Sequence, residues 1–119
     1  SGIQSPVFHI KVNQAYKFYH RGVDLDGDIG DPIRPVSSGK VEIVNEGRSA
    51  YGKHMVVDHG SGFKSLYAHL SKVEARQGQR VERDSMLGEV GSTGLSSGPH
   101  LHLELWVNGE TVNPMLYLR

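Results

Sequence analysis

The chain has 119 residues, with 13 basic and 13 acidic side chains and no cysteine. The cancelled charge leaves no electrostatic footprint for nucleic acid or an anionic membrane surface, and the lack of thiols excludes disulfides and thiolate metal sites. No apolar run approaches the roughly 18 residues that cross a bilayer as a helix, and no signal-peptide pattern is visible. The length suits one domain over residues 1–119, able to bury roughly two-thirds of its unfolded surface. Any metal ligands must come from the seven histidines and the carboxylates.

Taken in chain order, residues 8–12 form a candidate strand, followed by an aromatic cluster of Tyr16, Phe18 and Tyr19. Residues 20–25 alternate, with His20, Gly22 and Asp24 on one face and Arg21, Val23 and Leu25 on the other. An Asp- and Gly-rich loop occupies 26–31, and Gly39 leads into a strand carrying Val41 and Ile43. Residues 53–59 and 63–70 read as two strands of a hairpin turning at Gly60-Ser61-Gly62. On the second of these, alternation groups Phe63, Ser65, Tyr67 and His69 on one face and Lys64, Leu66, Ala68 and Leu70 on the other. Short strands follow near 78–81 and 87–91, then a small polar loop at 92–99 that leads into the most regular segment of the chain. In that segment His100, His102, Glu104 and Trp106 share one face, and Leu101, Leu103, Leu105 and Val107 share the other. Asn108-Gly109 is a hairpin turn signal, and 111–114 closes the chain. Glycine, at 15 residues, punctuates many short strands, and no amphipathic helical pattern competes. The fold class is therefore all-β, mostly antiparallel.

Two imidazoles about 7 Å apart on a rigid strand make a base for a metal site. A catalytic zinc takes three protein ligands from His and Asp/Glu and leaves a fourth position for water. His20 and Asp24 share a strand face with the side-chain-free Gly22 between them, and His102 is a candidate third ligand from a neighbouring strand. His69 and His100 are then candidates for the proton-handling and intermediate-stabilising work of hydrolysis. The pattern points to a zinc-dependent hydrolase.

The set His20-Arg21-Gly22-Val23-Asp24, Leu66-Tyr67-Ala68-His69-Leu70 and residues 91–104 closely resembles the LytM/lysostaphin-type zinc metallopeptidases. Gly39-Lys40-Val41, Tyr51-Gly52, Val57-Asp58-His59-Gly60, Gly78-Gln79-Arg80-Val81 and Leu87-Gly88 fall in that family's order and spacing. The resemblance is strong from Gly22 onward and loose over 1–19. It implies a compact domain with a central antiparallel sheet lining a groove and a hybrid-barrel character, outside the cytoplasm in the periplasm or cell wall. It implies hydrolysis of peptide bonds in peptidoglycan stems or cross-links, with Zn²⁺ held by His20, Asp24 and His102. His69 and His100 would be the catalytic pair, His100 the general base and His69 an orienter or oxyanion stabiliser. All five positions are filled, whereas inactive relatives lack ligands. A substrate bond between D-Ala and meso-diaminopimelate is favoured over a glycine bridge. Flanking domains, or a pro-segment that plugs the site, fit the same family.

The chain departs from the pattern near its start. Ser5-Pro6-Val7-Phe8-His9-Ile10-Lys11 stands where many relatives carry Phe-Gly-x-Arg. Tyr16 and Tyr19 are candidates for a tyrosine that some relatives hold near the scissile carbonyl, set against a core role for such a cluster. His9, His54 and His59 match no ligand position, His59 reading as a packing or capping residue beside its turn. Glu104 divides evenly between orienting a histidine and buttressing or facing solvent, and Trp106 packs at the groove's end. The run Asp26-Gly27-Asp28 lacks the later Glu of a calcium loop. Two other functions compete with the enzyme: a non-catalytic module regulating wall hydrolysis, and a sugar-phosphotransferase domain with a similar His-x-Gly-x-Asp phrase but no paired His-x-His.

Overall fold

The computed structural model describes residues 6, 16–18 (backbone only), 22–47, 49–94, 96 and 98–118. The strand expected at 8–12, the metal-ligand candidate His20, and Tyr19 and His9 lie outside the described residues. Ten strands are described: β1 Tyr16–Phe18, β2 Val23–Asp26, β3 Pro32–Ile33, β4 Gly39–Glu46, β5 Lys53–Gly60, β6 Phe63–Val73, β7 Arg80–Val81, β8 Gly88–Val90, β9 His100–Val107 and β10 Glu110–Val112. A 3-10 turn, Pro114–Leu116, capped by the Asn113 side chain, follows them. The strands form one antiparallel sheet in the order β1-β2-β9-β6-β5-β4-β7, with β10 on β9 and β8 bridging β3 to β6. No helix among the described residues is long and apolar enough to cross a membrane. The sequence reading of an all-β chain built on a central antiparallel sheet is the observed architecture.

The hairpin turns obey their local chemistry. Ser61 and Gly62 have φ of 55° and 80°, and Asn108 and Gly109 have 51° and 85°. Two consecutive positive φ values give the twist that two-residue hairpins need, which is why Gly occupies the second place in both. The alternation in β9 sorts the sheet into two faces. Leu101, Leu103 and Leu105 are fully buried with Val23, Leu25, Met55, Val57 and Tyr67 in one core. Each such side chain contributes about 1.5–3 kcal/mol by leaving water. Cross-strand register places Asp24 opposite His102, Glu104 opposite Leu66 and Trp106 opposite Lys64 on the other face.

One face assignment fails. Strict alternation would put His69 in the core beside Tyr67. Instead His69 has φ of +65°, and the register slips by one residue there: β5 advances from Lys53 to Met55 while β6 retreats from Leu70 to Tyr67. The bulge absorbs one residue, so Leu70 returns to the core and is fully buried. At the same point β6 stops pairing with β9, after Ala68–His102, and takes β8 as its partner from Leu70. A second bulge between Val41 and Ile43 in β4 parts those residues: Val41 is buried and Ile43 is 44% exposed.

Candidate functional site

The splay of β6 away from β9 brings three imidazoles together. Ring centroids of His69 lie 5.1 Å from His100 and 6.0 Å from His102. Strand β2 adds Asp24, whose Oδ1 is 2.9 Å from His102 Nδ1 and whose Oδ2 is 3.4 Å from His100 Nε2. Four of the five side chains singled out in the sequence therefore share one pocket of the sheet, and the fifth, His20, is outside the described residues. Among the described residues no group of three His, Asp or Glu side chains is arranged to hold a metal ion.

Each ring is aimed by a partner. His69 Nδ1 donates to the Thr93 carbonyl at 2.7 Å, and His100 Nδ1 donates to the Gly98 carbonyl at 2.8 Å. A proton fixed on Nδ1 puts the lone pair of each ring, when neutral, on Nε2; in His100 that atom faces Asp24 Oδ2. Partial burial lowers the proton affinity of His69; the positive character of His100 and His102 adds to this, and the Thr93 bond opposes it. The φ of His69 is a conformation that costs a non-glycine residue about 1–3 kcal/mol and concentrates at functional positions.

His102 is held from both sides. Its Nδ1 meets Asp24, and its Nε2 lies 3.0 Å from Oε2 of Glu104. Burial works against an imidazolium here, yet the hydrogen bonds to Asp24 and Glu104 outweigh it and raise His102 to about 9. Glu104 is fully buried. Burial pushes its carboxyl up, but three donors overcome this and hold it below its usual range. They are His102 Nε2, the Tyr51 hydroxyl at 2.5 Å and Trp106 Nε1 at 2.9 Å. A carboxylate that fixes the far nitrogen of an imidazole, leaving the near one beside a second carboxylate, is the arrangement that orients histidines at metal centres. Of the two roles the sequence left open for Glu104, orienting His102 is the one its contacts describe.

Tyr51 and Thr93 carry work that alternation could not assign. Tyr51 sits in a turn 53 positions from Glu104 and also stacks 5.9 Å from His102. Its loop closes on Thr93 and Gly94: a Cβ on Gly52 would come within 2.4 Å of the Thr93 backbone. Gly22 has a similar reason. A Cβ there would sit 2.3 Å from the Leu103 carbonyl and 2.9 Å from Glu104 Cγ, so its bareness lets β2 close on the strand that carries His102. His59 stands apart from this centre, with Nδ1 on the Ser38 carbonyl at 2.8 Å and Nε2 on Ser65 Oγ at 2.7 Å.

The model of Peptidase family M23 matches residues 18–114. The DD-carboxypeptidase/endopeptidase Mpg of Neisseria meningitidis is 40% identical over 96 residues, covering 81% of this chain and 22% of that protein. The chain thus spans about a fifth of the length of such curated relatives. A zinc containing peptidase from Vibrio cholerae superposes with a TM-score of 0.84 at 29% identity, over 97% of this chain and 40% of that one. The antimicrobial peptidase lysostaphin from Staphylococcus simulans gives 0.82 at 29% identity, over 98% and 52%.

Proposed function

The chain belongs to peptidase family M23, and from that premise we propose that it is a zinc-dependent endopeptidase acting on peptide stems or cross-links of peptidoglycan outside the cytoplasm. The observation that carries the reading is the convergence of Asp24, His69, His100 and His102 at the splay of β6 from β9. The whole of residues 1–119 acts as one catalytic domain, with further domains in a longer protein. Names of similar proteins support the bond class, since Mpg is a DD-carboxypeptidase/endopeptidase.

Asp24 and His102 Nδ1, with His20 as third member, would hold the metal. The donor set fits: a carboxylate and an imidazole Nδ1 stand 2.9 Å apart, with the other ring nitrogen tied to Glu104, the ligand types a divalent ion such as zinc would take. When bound, zinc polarises a carbonyl and brings the pKa of its water to about 7. The chain's own residues do the rest. His100, with Nδ1–H spent on Gly98, offers Nε2 as general base to the attacking water. The tie of His69 to Thr93 likewise leaves Nε2 as an acceptor, which supports orienting that water over donating to an oxyanion. The protonated base then delivers its proton to the leaving amine.

Purified sacculi digested by the zinc-loaded chain, beside Asp24→Ala, provide the test, with fragments identified by mass spectrometry. Metal-dependent loss of cross-linked dimers or trimming of stems is expected, and Asp24→Ala should lose metal and activity together. Intact sacculi after exposure to a folded, zinc-bound chain would move the chain to the regulatory class.

A further inference from the structure

The polar face of the sheet continues past the histidines. Trp106 lies four residues beyond His102 on β9, or about 13 Å at the rise of a strand. There Ile43, Val56, Leu66 and Trp106 floor a cavity of about 380 Å³, a size typical of small-molecule sites. Its rim is polar, with Lys64 and Glu42 paired at 2.9 Å and Asn108 closing the hairpin end.

Three features narrow the occupant. The indole's Nε1–H is committed to Glu104, which fixes the ring and leaves it to interact as an apolar surface. The rim charges already neutralise each other, so a charged guest gains little from them. The cavity also lies on the same face of β9 as His100 and His102, three to four extended residues away. An apolar peptide side chain would use the floor and leave the rim idle. A pyranose ring, with C–H groups on its faces and hydroxyls around its edge, engages both.

We propose that this cavity is a saccharide subsite in which a sugar ring of the wall polymer packs on Trp106 while its attached peptide lies across the histidines. The proposal rests on the peptidoglycan reading above and adds to it a dependence on the glycan.

Trp106 is the chain's single tryptophan, so tryptophan emission reports on the floor of this cavity, and the free-peptide control separates that signal from one relayed through Glu104. Titration with the trisaccharide of N-acetylglucosamine should give a saturable emission change that free stem peptide does not give and that Ile43→Glu abolishes. Ile43→Glu should also raise KM about tenfold on glycan-bearing cross-linked fragments, with kcat and the rate on glycan-free peptide unchanged. Asn108→Gly, which keeps a turn compatible with φ of 51° and removes the amide, should weaken the trisaccharide response less and guards against misfolding in the first variant. A silent tryptophan in a folded chain, an equal response to free peptide, or indifference of KM to the glycan overturns the proposal. Fluorescence needs no turnover. A chain that binds trisaccharide but cuts nothing refutes the endopeptidase reading alone, and one that cuts both substrates alike with a silent tryptophan refutes the subsite alone.

Discussion

Replacement of Glu104 by Gln isolates the part played by a buried carboxylate at almost constant volume. Two oxygens accept three hydrogen bonds, Oε2 from Tyr51 and His102 and Oε1 from Trp106. The amide offers one accepting oxygen. Turned toward Tyr51 and His102, it keeps two bonds and sets its NH₂ against the indole N–H; turned the other way, it keeps the indole and can donate to the Tyr51 hydroxyl but sets its NH₂ against the His102 N–H. Either way one buried donor is left unsatisfied, which costs about 1–3 kcal/mol. Relief of the buried charge offsets part of this. The larger effect should fall on metal, because weakening the group that fixes a ligating histidine typically lowers affinity by about 10–100-fold. Competition with a chromogenic chelator measures the zinc Kd, and thermal unfolding tracks the fold. A lowered Tm with unchanged zinc affinity would refute the orienting role and reduce Glu104 to a buttress.

Other expectations follow from particular contacts. His69→Gly and His69→Ala should both retain zinc and lose turnover by roughly 10²–10⁴-fold. The glycine variant should be the more stable by about 1–2 kcal/mol because it relieves the left-handed backbone. Wild-type rates in either remove His69 from the chemistry. Gly22→Ala forces a methyl group onto the Leu103 carbonyl and should cost about 1–3 kcal/mol; an unchanged Tm would refute the close approach. His59 is neutral in the fold, its pKa lowered by burial against the opposing Ser38 bond and Asp58 charge. The unfolded chain therefore binds that proton more tightly. The stability from this group is complete above about pH 6.5 and declines as pH falls below it. The urea midpoint of His59→Gln should fall less steeply over that window than that of wild type, and parallel slopes would contradict the assignment.

The sheet was legible because its strands announce themselves locally. Period-two alternation in β9 and the Ser61-Gly62 and Asn108-Gly109 turns need no tertiary information. Alternation put Asp24 and His102 each on the polar face of its own strand, and the pairing of β2 with β9 that brings them together was implied by the family resemblance alone. His69 did not, because a bulge reverses side-chain parity without leaving a mark in residue type. Glu104 was ambiguous for a different reason. A carboxylate on a polar face ordinarily meets water, and its burial depends on Tyr51, which reaches it from a loop 53 positions away. Ile43 shows the same limit, since the bulge before it exposes a side chain that simple alternation pairs with buried Val41.

Both candidate catalytic rings hang from one short stretch of chain, His69 from the carbonyl of Thr93 and His100 from that of Gly98. The stretch is latched in turn, as Thr93 Oγ1 donates to the Leu70 carbonyl and accepts from the Lys53 N–H. The two imidazoles are thus not independent variables. A shift of this one segment misaims both at a stroke, and a substitution that unlatches it, remote from any reacting atom, would behave kinetically as a double deletion.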